Sequence, residues 1–418
     1  MGPSRRLLIR RFGELPDWAE RRIDDAASRA ATADMLAELF GQKVEGSADS
    51  FVAERCVSMA STTIVPFGPQ HPVLPEPIHL DLELEDERVV RALPSIGYVH
   101  RGLERLAEHY DVIEMAQVAE RICGICSFIH GQGYCQAVES LMGVEVPPRA
   151  VYLRTFWAEL SRIQSHLLWL GLAADALGYE SLFQQAWRLR EQVVDIIEET
   201  TGGRVIFGAC KVGGVRKDID EELLRALRRR IMEVRNQFAE VAHIFTVDPT
   251  IKKRTLGIGY LSPQEAHDLG AVGPVARGSG IARDTRTLGY AAYSTLDWEP
   301  VVEQGGDCYA RCLVRIREID QSCDLIIQCI DRMPEGPIEV SVKGKRPQGE
   351  GLFRLEQPRG EVCYYLNASG KKHLDRFRVR TPTFANIAPL VQMLKGCELA
   401  DVPVIVLTID PCVSCNER

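Results

Sequence analysis

The chain has 418 residues, 45% hydrophobic and 26% charged, with a net charge of −8. That length buries a large core, the composition is that of a globular protein, and the acidic balance gives no reason to expect nucleic-acid binding. No apolar run approaches the about 18–20 residues a membrane span needs, Val402–Ile409 and Leu167–Leu172 being too short, so membrane attachment is expected through partners only.

The start, Met1-Gly2-Pro3-Ser4-Arg5-Arg6, is basic but has no apolar stretch after it, so no secretory signal is predicted. Residues 1–60 form an extension distinct from a main domain over 61–418. A helical pattern runs from about Pro16 to Phe40, with Trp18, Ile23, Ala26, Ala30, Met35, Leu36 and Phe40 as its apolar stripe, and a linker follows at Gly46–Ser50. From Thr63 the text turns to strand. Gly68-Pro69-Gln70-His71-Pro72 breaks it, Ile78–Leu84 alternates as a half-buried strand does, and a turn near Asp86 returns the chain through Val89–Leu93.

Helices follow. Cys135–Met142 is stopped by Gly143, and Ala150–Leu177 is apolar nearly all round and so predicted buried. Leu182–Thr200 ends at Gly202-Gly203, a helix capped by Asp218 or Asp220 runs to about Phe245, and Asp307–Met333 is stopped by Pro334. Ile338–Val342 and Val362–Leu366 read as short strands, Asn386–Leu394 as a helix, and Val402–Ile409 as a buried strand-like run. The expected fold class is α+β, mainly α: a long-helix bundle with a small antiparallel β region near its N-terminal part.

Two cysteine pairs carry the chemistry. Arg121-Ile122-Cys123-Gly124-Ile125-Cys126 precedes Ser127-Phe128-Ile129-His130, and Asp410-Pro411-Cys412-Val413-Ser414-Cys415 lies near the carboxyl end. Each Cys-x-x-Cys lets two thiolates converge on one metal, and four suit zinc, iron–sulfur, copper(I) or nickel. A zinc ribbon keeps its pairs about 15–20 residues apart, whereas 286 positions (412 − 126) separate these. A local knuckle is excluded, while a site assembled across the fold, zinc being the default metal, and chance pairing among thirteen cysteines stay open. The odd count and the lack of a spaced framework argue against a disulfide scaffold and for a reducing cytoplasm.

Arg-x-Cys-Gly-x-Cys-x-x-x-His and Asp-Pro-Cys-x-x-Cys, in this order and at opposite ends of the chain, resemble the two metal-binding signatures of the [NiFe]-hydrogenase large subunit. The resemblance covers roughly Thr63 to Arg418. It implies nickel bound by Cys123, Cys126, Cys412 and Cys415, with Cys126 and Cys415 bridging to an iron that carries carbon monoxide and cyanide, a Ni-Fe(CN)2(CO) centre. It further implies Cys412 as the thiolate that takes the proton when hydrogen is split, and Glu76, in Leu74-Pro75-Glu76-Pro77, as the carboxylate that carries it away. By the same resemblance Arg359, in Pro358-Arg359-Gly360, hangs over the open metal position. His130 hydrogen-bonds a bridging thiolate, with Arg121 and Asp410 as further supporting partners. Glu104 stands where relatives keep a carboxylate near a structural magnesium or the proton route. The last residue, Arg418, is not the His common in uptake enzymes, which counts against that magnesium. Chain ends at this position match either a processed precursor or the gene's own stop.

Gly68-Pro69-Gln70-His71-Pro72, Gly97-Tyr98-Val99-His100-Arg101-Gly102-Leu103-Glu104 and Thr201-Gly202-Gly203-Arg204 look like the energy-converting, membrane-associated Ech-type branch, which is related to the quinone-site subunit of complex I. That branch implies reversible proton reduction with electrons from ferredoxin through an iron–sulfur small subunit, since the remaining cysteines show no cluster spacing. It also implies ion-translocating membrane subunits, a maturation protease and nickel-insertion factors as partners, and a peripheral place on the cytoplasmic face of the inner membrane. Formate- and carbon-monoxide-linked complexes use similar large subunits. The alternative is a complex I-like quinone-binding subunit without hydrogenase activity, against which the four cysteines argue.

Overall fold

Leu80, Leu82 and Leu84 alternate with His79, Asp81 and Glu83, and a period of two gives a strand one apolar face. The computed structural model describes residues 63–71, 74 and 76–418. In it β1 (Thr63–Phe67), β2 (His79–Glu85) and β3 (Arg88–Ser95) form an antiparallel sheet with β2 in the middle. The three leucines are buried, a contribution of about 1.5–3 kcal/mol each. The turn at Asp86 takes φ 54, a left-handed conformation that Asp tolerates better than most residues. The helix expected over 16–40 and the linker after it lie outside the described residues.

After a single helical turn at Leu103–Leu106 come α1 (Met115–Glu120) and α2 (Ser127–Met142), the latter ended by Gly143 at φ 60. Four long helices follow: α3 (Pro148–Ala176), α4 (Glu180–Thr201), α5 (Glu221–Val247) and α6 (Cys308–Asp331). Asp220 and Asp307 cap the last two, accepting from the N–H groups of Leu223 and Ala310. α3 packs on α4 and α6, and α5 closes the bundle against the same two. The fold is mixed α+β and mainly helical, as the sequence suggests.

α3 departs from expectation in one respect. It is buried, but not because it is apolar all round: Arg154, Glu159, Arg162 and His166 are all inside. Each is matched there. Glu159 meets Arg162 and Arg286, and accepts from Ser322 Oγ at 2.6 Å; His166 Nε2 lies 2.8 Å from Glu318. Arg154 forms a two-pronged pair with Glu139 of α2 at 2.6 and 2.9 Å, and also donates to the carbonyls of Lys211 and Gly214. Glu139→Ala would strand that guanidinium, so we expect a loss of about 3–5 kcal/mol. A thermal-shift midpoint unchanged from the parent would refute it.

A second antiparallel sheet is larger than the short strands expected: β4 (Gln348–Gln357), β5 (Gly360–Ser369) and β6 (Arg376–Arg380). Ile338–Val342, by contrast, is no strand of its own; it is bridged to Gly213 and Gly214 through Glu339 and Val340. The chain ends in α7 (Pro382–Leu394), α8 (Val402–Thr408) and α9 (Val413–Glu417). The run at 402–409 is therefore mainly helix, not strand. A short run apolar on every side fits a buried helix as well as a buried strand, and Pro403 in the first turn suits the helix.

Two apolar cores result. The larger lies in the bundle and under the second sheet, the smaller between the first sheet and α7–α8. Cys412 and Cys415 belong to the first core, while Ile409 and Val413 belong to the second. The carboxyl-terminal pair thus lies on the seam. No helix among the described residues is long and apolar enough to cross a membrane.

Candidate metal centre

The first cysteine pair fills the gap between α1 and α2, with Cys126 at the N-cap of α2. The N–H groups of Ile125 and Cys126 turn back on Cys123 Sγ at 3.3 and 3.4 Å. The second pair follows α8. Asp410 takes φ 53 and so reverses the chain after the helix, and Cys412 opens α9 with its N–H on Thr383 Oγ1 at 3.1 Å. Arg101 joins the two segments: Nη1 donates to the Arg121 carbonyl, and Nη2 to the carbonyls of Ile122 and Ser414, all at 2.8–2.9 Å.

All four sulfurs are buried. Cys123 and Cys412 lie 3.3 Å apart, Cys126 and Cys415 3.6 Å apart, and the ligand atoms of Cys123, Cys126 and Cys415 fall within 4.8 Å of one another. These separations are too long for disulfides. Sulfurs each about 2.3 Å from one tetrahedral metal lie about 3.8 Å apart, and these two contacts come close to that, with Cys412 joined to the other three through Cys123. Hydrogen bonds from Cys126, Cys412 and Cys415 hold the Cys123 thiol far below its ordinary range, while the other three are pushed well above it. A soft cation binds thiolates, so it would displace the protons that burial favours on these sulfurs. The residues fit a thiolate-bound metal.

Around them, His130 Nε2 lies 3.3 Å from Cys415 Sγ, and Nδ1 lies 2.7 Å from the Tyr364 hydroxyl. Burial lowers its pKa to about 4. The ring is therefore neutral, with one N–H to give: if Nε2 donates to the sulfur, Nδ1 accepts from Tyr364. Arg359 is buried, donating from Nε to the Asp410 carbonyl (2.9 Å), from Nη2 to Asp410 Oδ1 (2.8 Å) and from Nη1 to Ser165 Oγ (3.1 Å). Burial opposes its charge, but Asp410, then Cys412, Cys126 and Cys123, outweigh that and hold it charged. Glu76 accepts from the N–H of Val413, next to Cys412, at 3.0 Å. Burial raises its pKa in spite of that bond and of Arg359.

Two candidate residues stand apart. Arg121 is exposed and donates back to the Gln117 carbonyl; only its own carbonyl serves the site, through Arg101. Glu104 does not join the cysteines. It bonds Arg378, the N–H of Val379 (2.8 Å) and Arg418 Nε (3.0 Å). The Val379 N–H and Arg418 hold its pKa low against burial. Two guanidiniums at one carboxylate do not fit a magnesium ion, and Glu104 instead ties down Arg418. Nearby, Glu417 accepts from the Val99 N–H through its carboxylate, and its carbonyl lies 2.7 Å from His100 Nδ1.

Sequence reasoning missed Arg101, Tyr364, Ser165 and Thr383 as parts of the site. Arg101 lies in a quoted motif, yet its acceptors are carbonyls that no side-chain pattern marks. It also passed over Glu120, a buried acid three positions before Cys123, which accepts from the Gly208 N–H and which burial raises to about 7.

The sequence profile described as nickel-dependent hydrogenase matches residues 101–174, and that of respiratory-chain NADH dehydrogenase, 49 Kd subunit, matches residues 176–345 and 340–418. The carbon monoxide-induced hydrogenase of Rhodospirillum rubrum is 39% identical over 363 residues, 86% of this chain and all of that protein. The membrane-bound hydrogenase subunit alpha of Pyrococcus furiosus is 39% identical over 85% of this chain and 87% of its own length. Among solved structures, a chain of the membrane-bound sulfane sulfur reductase, an archaeal respiratory membrane complex, superposes with a TM-score of 0.82 at 31% identity, covering 86% of this chain and all of that one.

Proposed function

The chain belongs to the energy-converting branch of the [NiFe]-hydrogenase large subunits, related to the 49 Kd subunit of respiratory NADH dehydrogenase, and we propose that Cys123, Cys126, Cys412 and Cys415 hold its nickel–iron centre. The chain is the catalytic subunit of a hydrogenase. The observation that carries the proposed site is the meeting of four buried sulfurs from the two ends of the described chain. A quinone pocket has no need of them.

When bound, the nickel–iron centre with its carbon monoxide and cyanide ligands supplies heterolytic splitting and formation of hydrogen. The chain's own residues manage the proton and the charge. Cys412 Sγ is the first proton acceptor, and Glu76, bonded to the next residue, takes the proton on. Arg359 keeps a fixed positive charge over the sulfurs, aimed by Asp410 and Ser165. His130 steadies Cys415. Electrons come from ferredoxin through clusters on an iron–sulfur small subunit, and membrane subunits couple the reaction to ion movement at the cytoplasmic face. The chain's relatives above include membrane-bound assemblies by name, which supports association with membrane subunits.

The complex purified anaerobically should contain stoichiometric nickel, show infrared bands of metal-bound carbonyl and cyanide, and evolve hydrogen from reduced ferredoxin. Zinc in place of nickel, with no such bands, would falsify the proposal.

A further inference from the structure

Seven arginines are buried among the described residues. Five are bonded to carboxylates: Arg154 to Glu139, Arg162 to Glu159, Arg277 to Glu318, Arg286 to Asp284 and Arg359 to Asp410. Arg311 and Arg315, one turn apart on α6, are bonded to none. Arg311 donates to Thr408 Oγ1 (3.1 Å), to the carbonyls of Gly259 (2.7 Å) and Gly306 (3.2 Å), and to Cys308 Sγ (3.3 Å). Arg315 donates to the carbonyls of Thr408 (2.8 Å) and Arg311 (3.0 Å), and its guanidinium lies 4.1 Å over the Trp169 ring. Its Nε has no acceptor.

These contacts satisfy most of the hydrogens but not the charge. A guanidinium taken out of water without a counterion is costly, and burial pulls Arg315 down to about 10, with Asp410 first among the groups resisting. The place matters. Both arginines grip Thr408, and Trp169 Nε1 holds the Leu407 carbonyl at 2.7 Å. The chain then passes through Asp410, whose Oδ2 has no partner, to Cys412. The unpaired cations therefore back the segment that carries half of the sulfurs.

Resting on the metal-centre reading above, we propose that Arg315, with Arg311 beside it, is the outer counterion of the four-sulfur centre, a positioning charge that favours the more reduced, more negative state of the bound metal and so raises its potential. Fields of fixed charges act far more strongly in a buried, low-dielectric site than in water.

The test is a redox titration of nickel by electron paramagnetic resonance in the intact, anaerobically purified complex. It compares the parent with Arg315→Met and Arg315→Lys. The methionine variant should shift the one-electron equilibrium at least tenfold toward the oxidised state, about 59 mV more negative. Lysine keeps the charge without the planar fork, and should stay within that interval of the parent. Loss of nickel from the methionine variant alone, with the lysine variant loaded at the parental potential, also supports the proposal. A parental potential in the methionine variant overturns it. So does an equal shift in both variants, or loss of nickel from both, because the residue then shapes the fold and its charge is immaterial. Lack of nickel in the parent complex is a different result and counts against the metal-centre reading itself.

Discussion

Cys412→Ser is expected to abolish hydrogen turnover, by more than about 10³-fold, since it removes a metal ligand and a proton acceptor at once. The sulfur is buried 3.3 Å from Cys123 Sγ, so the replacement removes a member of the cluster, not a bystander. An alcohol is a hard donor, and a soft metal does not draw off its proton as it would a thiol's, so the variant loses a soft ligand and the first proton acceptor together. General acid–base catalysis alone is worth about 10²–10⁴-fold. Turnover should be measured as hydrogen evolved from reduced dye, beside nickel content. Cys329→Ser is the control: that cysteine is equally buried but lies on α6 with the bulk of the bundle. A Cys412→Ser complex that kept a tenth of parental activity would end the assignment, and Cys329→Ser failing equally would point to general fragility of buried thiols.

The cysteine pairs were legible because metal binding confines both spacing and residue type, and helices such as Glu180–Thr201 because a 3.6-residue period and a glycine stop are local signals. What escaped depends on partners distant in sequence. The acceptors of Arg101 are main-chain carbonyls up to 313 positions away. Tyr364 reads simply as one aromatic of a strand until the fold brings it to His130. The polar interior of α3 was hidden for a related reason: the helix reads as apolar nearly all round, and nothing local marks Glu159 and Arg162 as members of a buried network until Arg286, Tyr293 and Ser322 close over them. Glu104 shows the opposite hazard. A position in a motif suggested a cation site, and the fold supplies guanidiniums there instead.

Glu76→Gln should leave nickel and the infrared bands in place while cutting hydrogen–deuterium exchange by about 10²–10⁴-fold. Glutamine's amide oxygen still accepts from the Val413 N–H, now 3.0 Å from Glu76 Oε2, so the local geometry survives. It has no proton to pass on. The pH dependence follows from the direction of the Glu76 shift. Burial raises the carboxyl pKa, so it keeps its proton to a higher pH than an ordinary glutamate. Hydrogen oxidation needs the carboxylate empty and should fall as pH drops through the raised value. Hydrogen evolution needs it loaded and should fall as pH rises through the same value. The two limbs should therefore cross above the ordinary glutamate range. Glu76→Asp, with an intrinsic pKa about 0.4 lower, should move the crossing downward while retaining part of the exchange. Parental exchange in the glutamine variant would show that protons leave Cys412 by another group. Limbs that moved together, not in opposition, would mean that the titration belongs to assembly of the site and not to transfer through this carboxylate.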